Sequence, residues 1–234
     1  MDSLDPRLAN LSFVCHATMS VFRLILMSHT PASRVGHLRF TFESTAAPYV
    51  LVEATRASVM GSNDPTNVTY PLGDITIDPA RHEISGRNPE RQDFLIGPSP
   101  APSFAGYFVA RFNIPFASYG TAQNGSISEN ATSGKGALLS GYARFPEGTH
   151  QVDVRVGVSF ISVEQARKNL DTEIPDGTSL EKTAETTRAA WAEKLDRVKV
   201  EGATDEESEI FYTAVFHTLQ VCRPHDCERD PTLC

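Results

Sequence analysis

The chain has 234 residues, enough for one large β domain or two small domains. Hydrophobic residues make up 40% and charged residues 21%, as in ordinary soluble globular proteins. The net charge of -8, without any basic run, argues against a nucleic-acid surface, which needs clustered lysines and arginines. Residues 11–27 are fairly apolar, but His16 and Arg23 interrupt them. We therefore expect a β-strand there rather than a signal peptide or a membrane helix.

Strand patterns fill the first two-thirds of the chain. Leu38, Phe40 and Phe42 alternate with polar residues, which indicates a strand with one buried face. The other predicted strands are residues 22–27, 49–54, 73–78, 82–85, 104–112, 138–145 and 152–161. Residues 73–78 and 82–85 are predicted to form a hairpin, and residues 138–145 and 152–161 a second one.

Two long segments have the composition of loops. Residues 87–102 contain four prolines, and residues 120–136 are rich in glycine, serine, asparagine and threonine. Between them and around them, seven to nine short strands with regular turns predict a β-sandwich.

From residue 162 onward the apolar spacing changes to that of helices, at 162–174, 179–197 and 205–220. Their predicted capping boxes are Ser162 with Gln165, Thr178 with Glu181, and Thr204 with Glu207. Their apolar stripes are Val163, Ala166, Leu170 and Ile174, then Leu180, Ala184, Trp191, Leu195 and Val198, and finally Ile210, Phe211, Ala214, Val215 and Leu219. A β region therefore passes into an α region without an obvious flexible linker.

Several short segments stand in a fixed order around this junction. Residues 156–170 read Val-Gly-Val-Ser-Phe-Ile-Ser-Val-Glu-Gln-Ala-Arg-Lys-Asn-Leu, and residues 173–176 read Glu-Ile-Pro-Asp. Trp191 with Lys194 and Leu195 follows, then Val-Glu-Gly at 200–202 and Phe-Tyr-Thr-Ala-Val-Phe-His-Thr-Leu at 211–219. Together these segments resemble glycoside hydrolase family 92, whose members are α-mannosidases. The strand segments 33–42, 73–78, 107–112 and 141–145 are similar to strands of the same family.

The resemblance implies a galactose-mutarotase-like β-sandwich joined by helices to an (α/α)6 barrel. We accordingly expect a mainly β fold with C-terminal helices: residues 1–161 as the sandwich, 162–220 as linker helices and first barrel helix, and 221–234 as an atypical tail. The family's His-x-Ser-Gly-type opening motif is not found, and the similarity stops after Gln220. The resemblance thus implies that almost the whole barrel is missing, as in an incomplete gene model.

By resemblance, the whole enzyme would be a calcium-dependent, inverting exo-α-mannosidase that acts on N-glycans or mannan. The family's acid, base and metal ligands lie in the barrel, so we assign no catalytic or metal residue here and expect calcium only in the catalytic domain. The implied partners are mannosides, N-glycans and a barrel packed on this chain, with no nucleic acid and no membrane. Two alternatives stay open: a stand-alone carbohydrate-binding module, or a non-functional fragment whose uncovered apolar stripes would aggregate.

Two side chains are candidates for contact with sugar. His217 lies beside the apolar stripe of the third predicted helix, where a buried, hydrogen-bonded histidine is expected. In the family this helix opens the barrel, so a place near the sugar pocket is the alternative. Trp191 could stack on a sugar ring. Its helical spacing with Leu195 favours a core residue instead.

The carboxylate and cysteine clusters carry no assignment. The carboxylate pairs are Glu43 with Glu53 and Asp74 with Asp78, all on ordinary strands or turns where such groups are usually solvated. The tail carries Cys222, His225, Cys227 and Cys234. A zinc site usually needs about four ligands from two short elements such as Cys-x2-4-Cys pairs, and Cys222-x4-Cys227 is a single pair with no second pair to complete the site, so these cysteines are interpreted as accidental. The pairing of these cysteines, and of Cys15, stays open.

Four Asn-x-Ser/Thr triplets begin at Asn10, Asn67, Asn124 and Asn130. Such triplets are acceptors for N-linked glycans in secreted proteins, and two of these lie in the polar segment 120–136. They favour a secreted parent protein. Because the sequence has no recognisable leader, retention in the cytosol stays an alternative.

Overall fold

The computed structural model describes residues 12–14, 22–23, 34–42, 46–55, 68, 70–89 and 105–219. The strands are β1 Ser12–Val14, β2 Phe22–Arg23, β3 Val35–Thr41, β4 Tyr49–Glu53, β5 Gly73–Asp78, β6 Glu83–Asn88, β7 Gly106–Phe112, β8 Ser118–Gln123, β9 Ser126–Glu129, β10 Ser133–Gly136, β11 Leu139–Arg144 and β12 Gln151–Ser159. The helices are α1 Val163–Glu173, α2 Leu180–Leu195 and α3 Asp205–Leu219. The mainly β fold with C-terminal helices is confirmed.

The described strands form two antiparallel sheets. One has the order β1-β4-β11-β8-β9, and the other has the order β10-β5-β6-β7-β12-β3-β2. The main core includes Leu38, Phe40, Phe42, Val50, Val52, Ile75, Ile77, Ile84, Phe108, Phe112, Leu139, Phe145, Val152, Val154 and Val156. These residues lie in strands of both sheets or, for Phe42 and Phe145, directly follow them. Every second side chain of a strand points to the same face, and the inner faces of the two sheets meet in this core. The predicted β-sandwich is confirmed.

Helix α1 packs on the outer face of the seven-stranded sheet. A second buried cluster joins the two: Val35, Val109, Ala166, Leu170 and Ile174. Gly157 on β12 permits this close approach, because a Cβ atom there would lie 2.3 Å from the carbonyl oxygen of Ala166. The sheet is therefore covered on both faces, by the five-stranded sheet on one side and by α1 on the other.

All three helices begin at serine or threonine caps. Ser162 Oγ accepts a hydrogen bond from the Gln165 backbone N–H, as predicted. Helix α2 is capped by Ser179 and not by Thr178, because the Ser179 hydroxyl accepts from the backbone N–H three residues later. The reciprocal box predicted at Thr204 with Glu207 is confirmed.

Helix α3 stands apart from the sandwich. None of its residues is buried, and Ile210 is 64% exposed. It contacts α2 through Phe216 and Trp191, whose ring centroids lie 4.5 Å apart. In the described part of the chain, no helix has the length and apolar character needed to cross a membrane.

The predicted loop at 120–136 is wrong. This segment contains most of β8 and the whole of β9 and β10. Asn124 and Gly125 form the tight turn between β8 and β9, with φ of 49° and 80°. Two positive φ values are typical of the hairpin turns that Asn-Gly favours. The edge strands here are short and polar, so the segment lacks the apolar alternation that would reveal them.

The second predicted hairpin is also wrong. Strand β11 pairs with β4 and β8, whereas β12 pairs with β3 and β7 in the other sheet. Residues 145–150 therefore cross between the sheets. In contrast, the hairpin of β5 and β6 is confirmed, and β6 continues to Asn88, two residues into the segment predicted as loop.

Candidate functional site

A row of four polar side chains crosses the outer face of the seven-stranded sheet. Glu83 on β6 is opposite Arg111 on β7, Arg111 is opposite Arg155 on β12, and Arg155 is opposite His37 on β3. At about 4.8 Å between strands, this polar row spans roughly 14 Å. Glu83 and His37 are each 1% exposed and Arg155 is 8% exposed, so the row lies in the interior of the molecule.

Glu83 anchors one end of the polar row. Its Oε1 accepts a hydrogen bond from Arg111 Nε at 2.7 Å, and its Oε2 accepts one from Arg167 Nε of α1 at 3.1 Å. A buried charge is costly unless it is paired and hydrogen-bonded, and both carboxylate oxygens are paired here. The pair with Arg167 also ties α1 to the sheet.

Asp176, in the segment between α1 and α2, neutralises the centre of the polar row. Arg111 and Arg155 face each other on adjacent strands, where like charges destabilise a sheet. Asp176 accepts hydrogen bonds from both guanidinium groups, and Arg155 also donates to the carbonyl oxygen of Ile174 at 2.7 Å. The hydrogen bond from Arg155, with that from Arg111, lowers the pKa of Asp176.

His37 ends the polar row beneath α2. Its Nδ1 lies 2.9 Å from Thr183 Oγ1, and the Thr183 hydroxyl donates to the carbonyl oxygen of Ser179 at 3.1 Å. Since a hydroxyl has one proton to give, Thr183 accepts from His37, which places the imidazole proton on Nδ1. Burial is the main cause that lowers the pKa of His37 to about 4, so the ring is neutral at pH 7.

A second ion pair beside His37 extends the contact to α2. Arg39 donates two hydrogen bonds to Asp153, from Nε at 2.6 Å and from Nη2 at 2.8 Å. Its Nη1 donates to Glu181 in the first turn of α2 and lowers the pKa of that carboxyl group. The polar row and this pair therefore fix α1, the connecting segment and α2 on one face of the sheet.

A cavity of about 410 Å³ opens over the row. Its lining includes His37, His82, Asn113, Asp153, Arg155 and Asp176. Asp153 and Asp176 are both hydrogen-bonded to arginines, and for Asp176 this favours the ionised carboxylate over the protonated form that a general acid needs. Among the described residues, no cluster of three or more histidines, cysteines and acidic groups could hold a metal ion. The ion pairs and hydrogen bonds of the polar row hold the helices on the sheet.

The two sugar-contact candidates lie on the helices, away from the lining of this cavity. Trp191 is half-buried and packs on Phe216. His217 is exposed, with its ring centroid 5.6 Å from that of Phe216, so the expected burial of His217 is wrong. Any contact of either residue with sugar stays a prediction.

The other predicted groups have ordinary surroundings where the structure describes them. Asp74 pairs with Arg87 at 2.8 Å, and Asp78 caps the turn between β5 and β6. Asn124 and Asn130 are exposed at the two ends of β9. Outside the described residues lie Asn10, Cys15, Glu43, Asn67, Cys222, His225, Cys227 and Cys234.

Sequence reasoning missed the polar row. Its signal was present as charges inside apolar strands: Arg111 stands between Ala110 and Phe112, and Arg155 between Val154 and Val156. A charged residue between apolar neighbours in a strand points to the other face of the sheet. It requires a partner of opposite charge only if that face is also covered, and the sequence alone did not show this.

Comparison with protein families gives the identity of this architecture. The model of the glycosyl hydrolase family 92 N-terminal domain matches residues 19–159. The chain belongs to glycosyl hydrolase family 92. The model of the family 92 catalytic domain matches residues 165–229, so the match to that second domain begins within α1. The predicted division of the chain at residues 161 and 220 stays a prediction.

Solved structures of family 92 share the fold. An inverting mannosidase of this family from Bacteroides thetaiotaomicron superposes with a TM-score of 0.66, at 22% identity, over 91% of this chain and 30% of its own. An α-mannosidase from the same organism, in complex with mannoimidazole, gives 0.62 at 18% identity, over 80% and 23%.

A curated relative shares a shorter segment with the chain. A secreted glycosidase of Arthroderma benhamiae, itself uncharacterised, is 35% identical over 75 residues, which are 31% of this chain and 10% of that protein. The chain thus spans less than a third of the length of each of these three relatives.

Proposed function

We propose that this chain is the sandwich and linker part of a secreted, calcium-dependent, inverting exo-α-mannosidase that acts on N-glycans or mannan. Its role is to hold the catalytic domain and to form one wall of the sugar cleft. The bond cleavage belongs to carboxyl groups of the catalytic domain, one as the acid and one as the base that activates water. Support comes from family 92 membership and from the mannosidases with the same fold.

The single observation that carries the structural role is the contrast between α1 and α3. Helix α1 and the residue that caps its C-terminus bury Ala166, Leu170 and Ile174 on the sheet, whereas α3 has no buried residue although it carries several large apolar side chains. An apolar helix face that the sandwich leaves uncovered requires another partner. Because the catalytic-domain model already matches α2 and α3, we assign this face to the rest of that domain.

The polar row supports the same role. Ion pairs at Glu83 and Asp176, and the hydrogen bond from His37, fix the start of the helical region at a set orientation on the sandwich. A rigid connection of this kind positions a following domain accurately, as a functional site built on supported elements requires.

The experiment is a comparison of two proteins with an aryl α-mannoside as substrate. The first is this chain; the second is the longest product encoded by the full-length transcript across the codons for residues 220–234. We expect hydrolysis with inversion by the longer product, and loss of that activity when a chelator removes calcium. Hydrolysis by the 234-residue chain itself would overturn the assignment of chemistry to the catalytic domain. A longer product that leaves α-mannosides intact would overturn the proposed substrate class.

A further inference from the structure

Among the described strands, none pairs with the outer side of β9, which therefore forms a free edge of the five-stranded sheet. It is the last strand in the order and pairs with β8 through the register of Ser126 to Gln123. All four of its residues are exposed, and Ile127 is 66% exposed. The outer side of such a strand presents unpaired backbone groups that can pair with a strand of another chain. Natural edge strands are often protected by charged residues, above all lysine, or by proline; β9 has no lysine or proline, and Glu129 at its end is its single charged residue.

An Asn-x-Ser/Thr triplet stands at each end of this strand. Asn124 lies in the turn before β9, and Asn130 follows directly after it. Both residues are exposed, with φ of 49° and 57°, and the third residues of the triplets, Ser126 and Thr132, are exposed as well. Their backbone N–H groups donate to sandwich carbonyls, at 3.2 Å for Asn124 and 2.9 Å for Asn130, so the two turns are held in place.

We propose that Asn124 and Asn130 carry N-linked glycans, and that the two glycans cover the free edge at β9 against pairing with other chains. The four residues of β9 extend roughly 14 Å at 3.4 Å per residue, a length that bulky glycans attached at both ends cover. The inference rests on the proposed secretion, since the modification takes place along the secretory route.

The chemistry is a balanced transfer. The donor is an oligosaccharide linked through a diphosphate to a lipid. A bond forms between Asn Nδ2 and the anomeric carbon of the first sugar, the bond from that carbon to the diphosphate oxygen breaks, and the amide releases one proton. Both acceptor amides stand at exposed turns, where the glycan stays in solvent after the protein folds.

The first test is site-resolved mass spectrometry. The full chain is secreted from eukaryotic cells behind an added leader, then treated with peptide N-glycosidase in ¹⁸O-labelled water. We expect aspartate with ¹⁸O at positions 124 and 130, and no such label in a control kept in the same water without enzyme; this control accounts for spontaneous deamidation of Asn124, which precedes Gly125. Ser126→Ala and Thr132→Ala should each abolish one label, while Ser126→Thr retains it. An unlabelled asparagine at either position overturns the proposal.

The second test concerns the edge. The double variant Asn124→Gln/Asn130→Gln should self-associate at a concentration roughly tenfold lower than the glycosylated chain, measured by analytical ultracentrifugation. Adding Ile127→Lys should reverse this, whereas adding Ile210→Lys on α3 should not. Equal association of glycosylated and unglycosylated chains, or reversal by Ile210→Lys alone, overturns the protective role. Neither test measures mannosidase activity, so a failure here is distinct from a failure of the proposed function.

Discussion

Glu83→Gln tests the polar row most sharply. The side chain of Glu83 is 1% exposed and accepts hydrogen bonds from Arg111 and Arg167 through different oxygens. Glutamine keeps the shape of the side chain, but it removes the negative charge and turns an amide N–H toward one of the two guanidinium groups. Arg111 and Arg167 then lose the buried negative charge that they share.

The loss in the free energy of unfolding depends on which partners Arg111 and Arg167 retain after the substitution. Removal of one partner of a buried ion pair costs about 3–5 kcal/mol. Arg111 retains Asp171 and Asp176, and the side chain of Arg167 is 25% exposed and can turn toward water, so the lower end applies. We expect the free energy of unfolding to fall by about 3 kcal/mol, a large share of the roughly 5–15 kcal/mol of a typical protein. At a urea slope of about 2–3 kcal/mol/M, the midpoint falls by roughly 1–1.5 M.

The assay is urea unfolding of the full chain, followed by circular dichroism for the sheets and by Trp191 fluorescence for the helices. Asp74→Asn is the matched control, because it breaks an ion pair with Arg87 on the same sheet. The side chains of this pair are 30% and 40% exposed. That control should cost less than about 1 kcal/mol. Equal, small losses for the two variants would refute the claim that Glu83 is a buried anchor.

Three further outcomes test neighbouring contacts. Gly157→Ala should destabilise the chain by about 1–3 kcal/mol in the same urea assay, because the new Cβ atom would clash with α1; Gly106→Ala, whose Cβ atom meets nothing closer than 3.8 Å, should be tolerated far better. The pKa of His37 is lowered from 6.5 to about 4, so the free energy of unfolding of the chain should fall as the pH falls from 7 to 5, because the unfolded chain binds the proton first. His37→Gln should reduce this loss. An unchanged dependence of the free energy of unfolding on pH in this variant would contradict the role given to His37. Phe216→Ala should shift Trp191 emission to longer wavelength and weaken the α2–α3 contact by about 1 kcal/mol; unchanged emission would contradict that packing.

Local patterns predicted several elements correctly, although the predicted cap at Thr178 was one residue away from the true cap, Ser179. The alternation at Leu38, Phe40 and Phe42 and the caps at Ser162 and Thr204 are confirmed, because each depends on neighbours within a few residues. The prediction for residues 120–136 rested on their polar composition rather than on a pattern of alternating residues, and it was wrong. The polar strands β9 and β10 were interpreted as loop, although the Asn-Gly turn was a usable signal.

Contacts between distant parts of the chain were beyond reach. Residues 138–145 and 152–161 are close in sequence, which suggested that they pair. They belong to different sheets, because β12 pairs with β3 and β7 whereas β11 pairs with β4 and β8. The polar row depends on four strands and a helix connection that are far apart in sequence. His37 and Arg155 therefore resembled the solvated side of half-buried strands, and only the covering helices make them buried.

The proposed division of labour between sandwich and catalytic domain is tested by comparing the α-mannosidase activity of the full transcript product with that of this chain. We expect calcium-dependent hydrolysis of an aryl α-mannoside with inversion by the longer product, and no hydrolysis by the 234-residue chain. Hydrolysis by the short chain, or a longer product without α-mannosidase activity, would contradict this expectation.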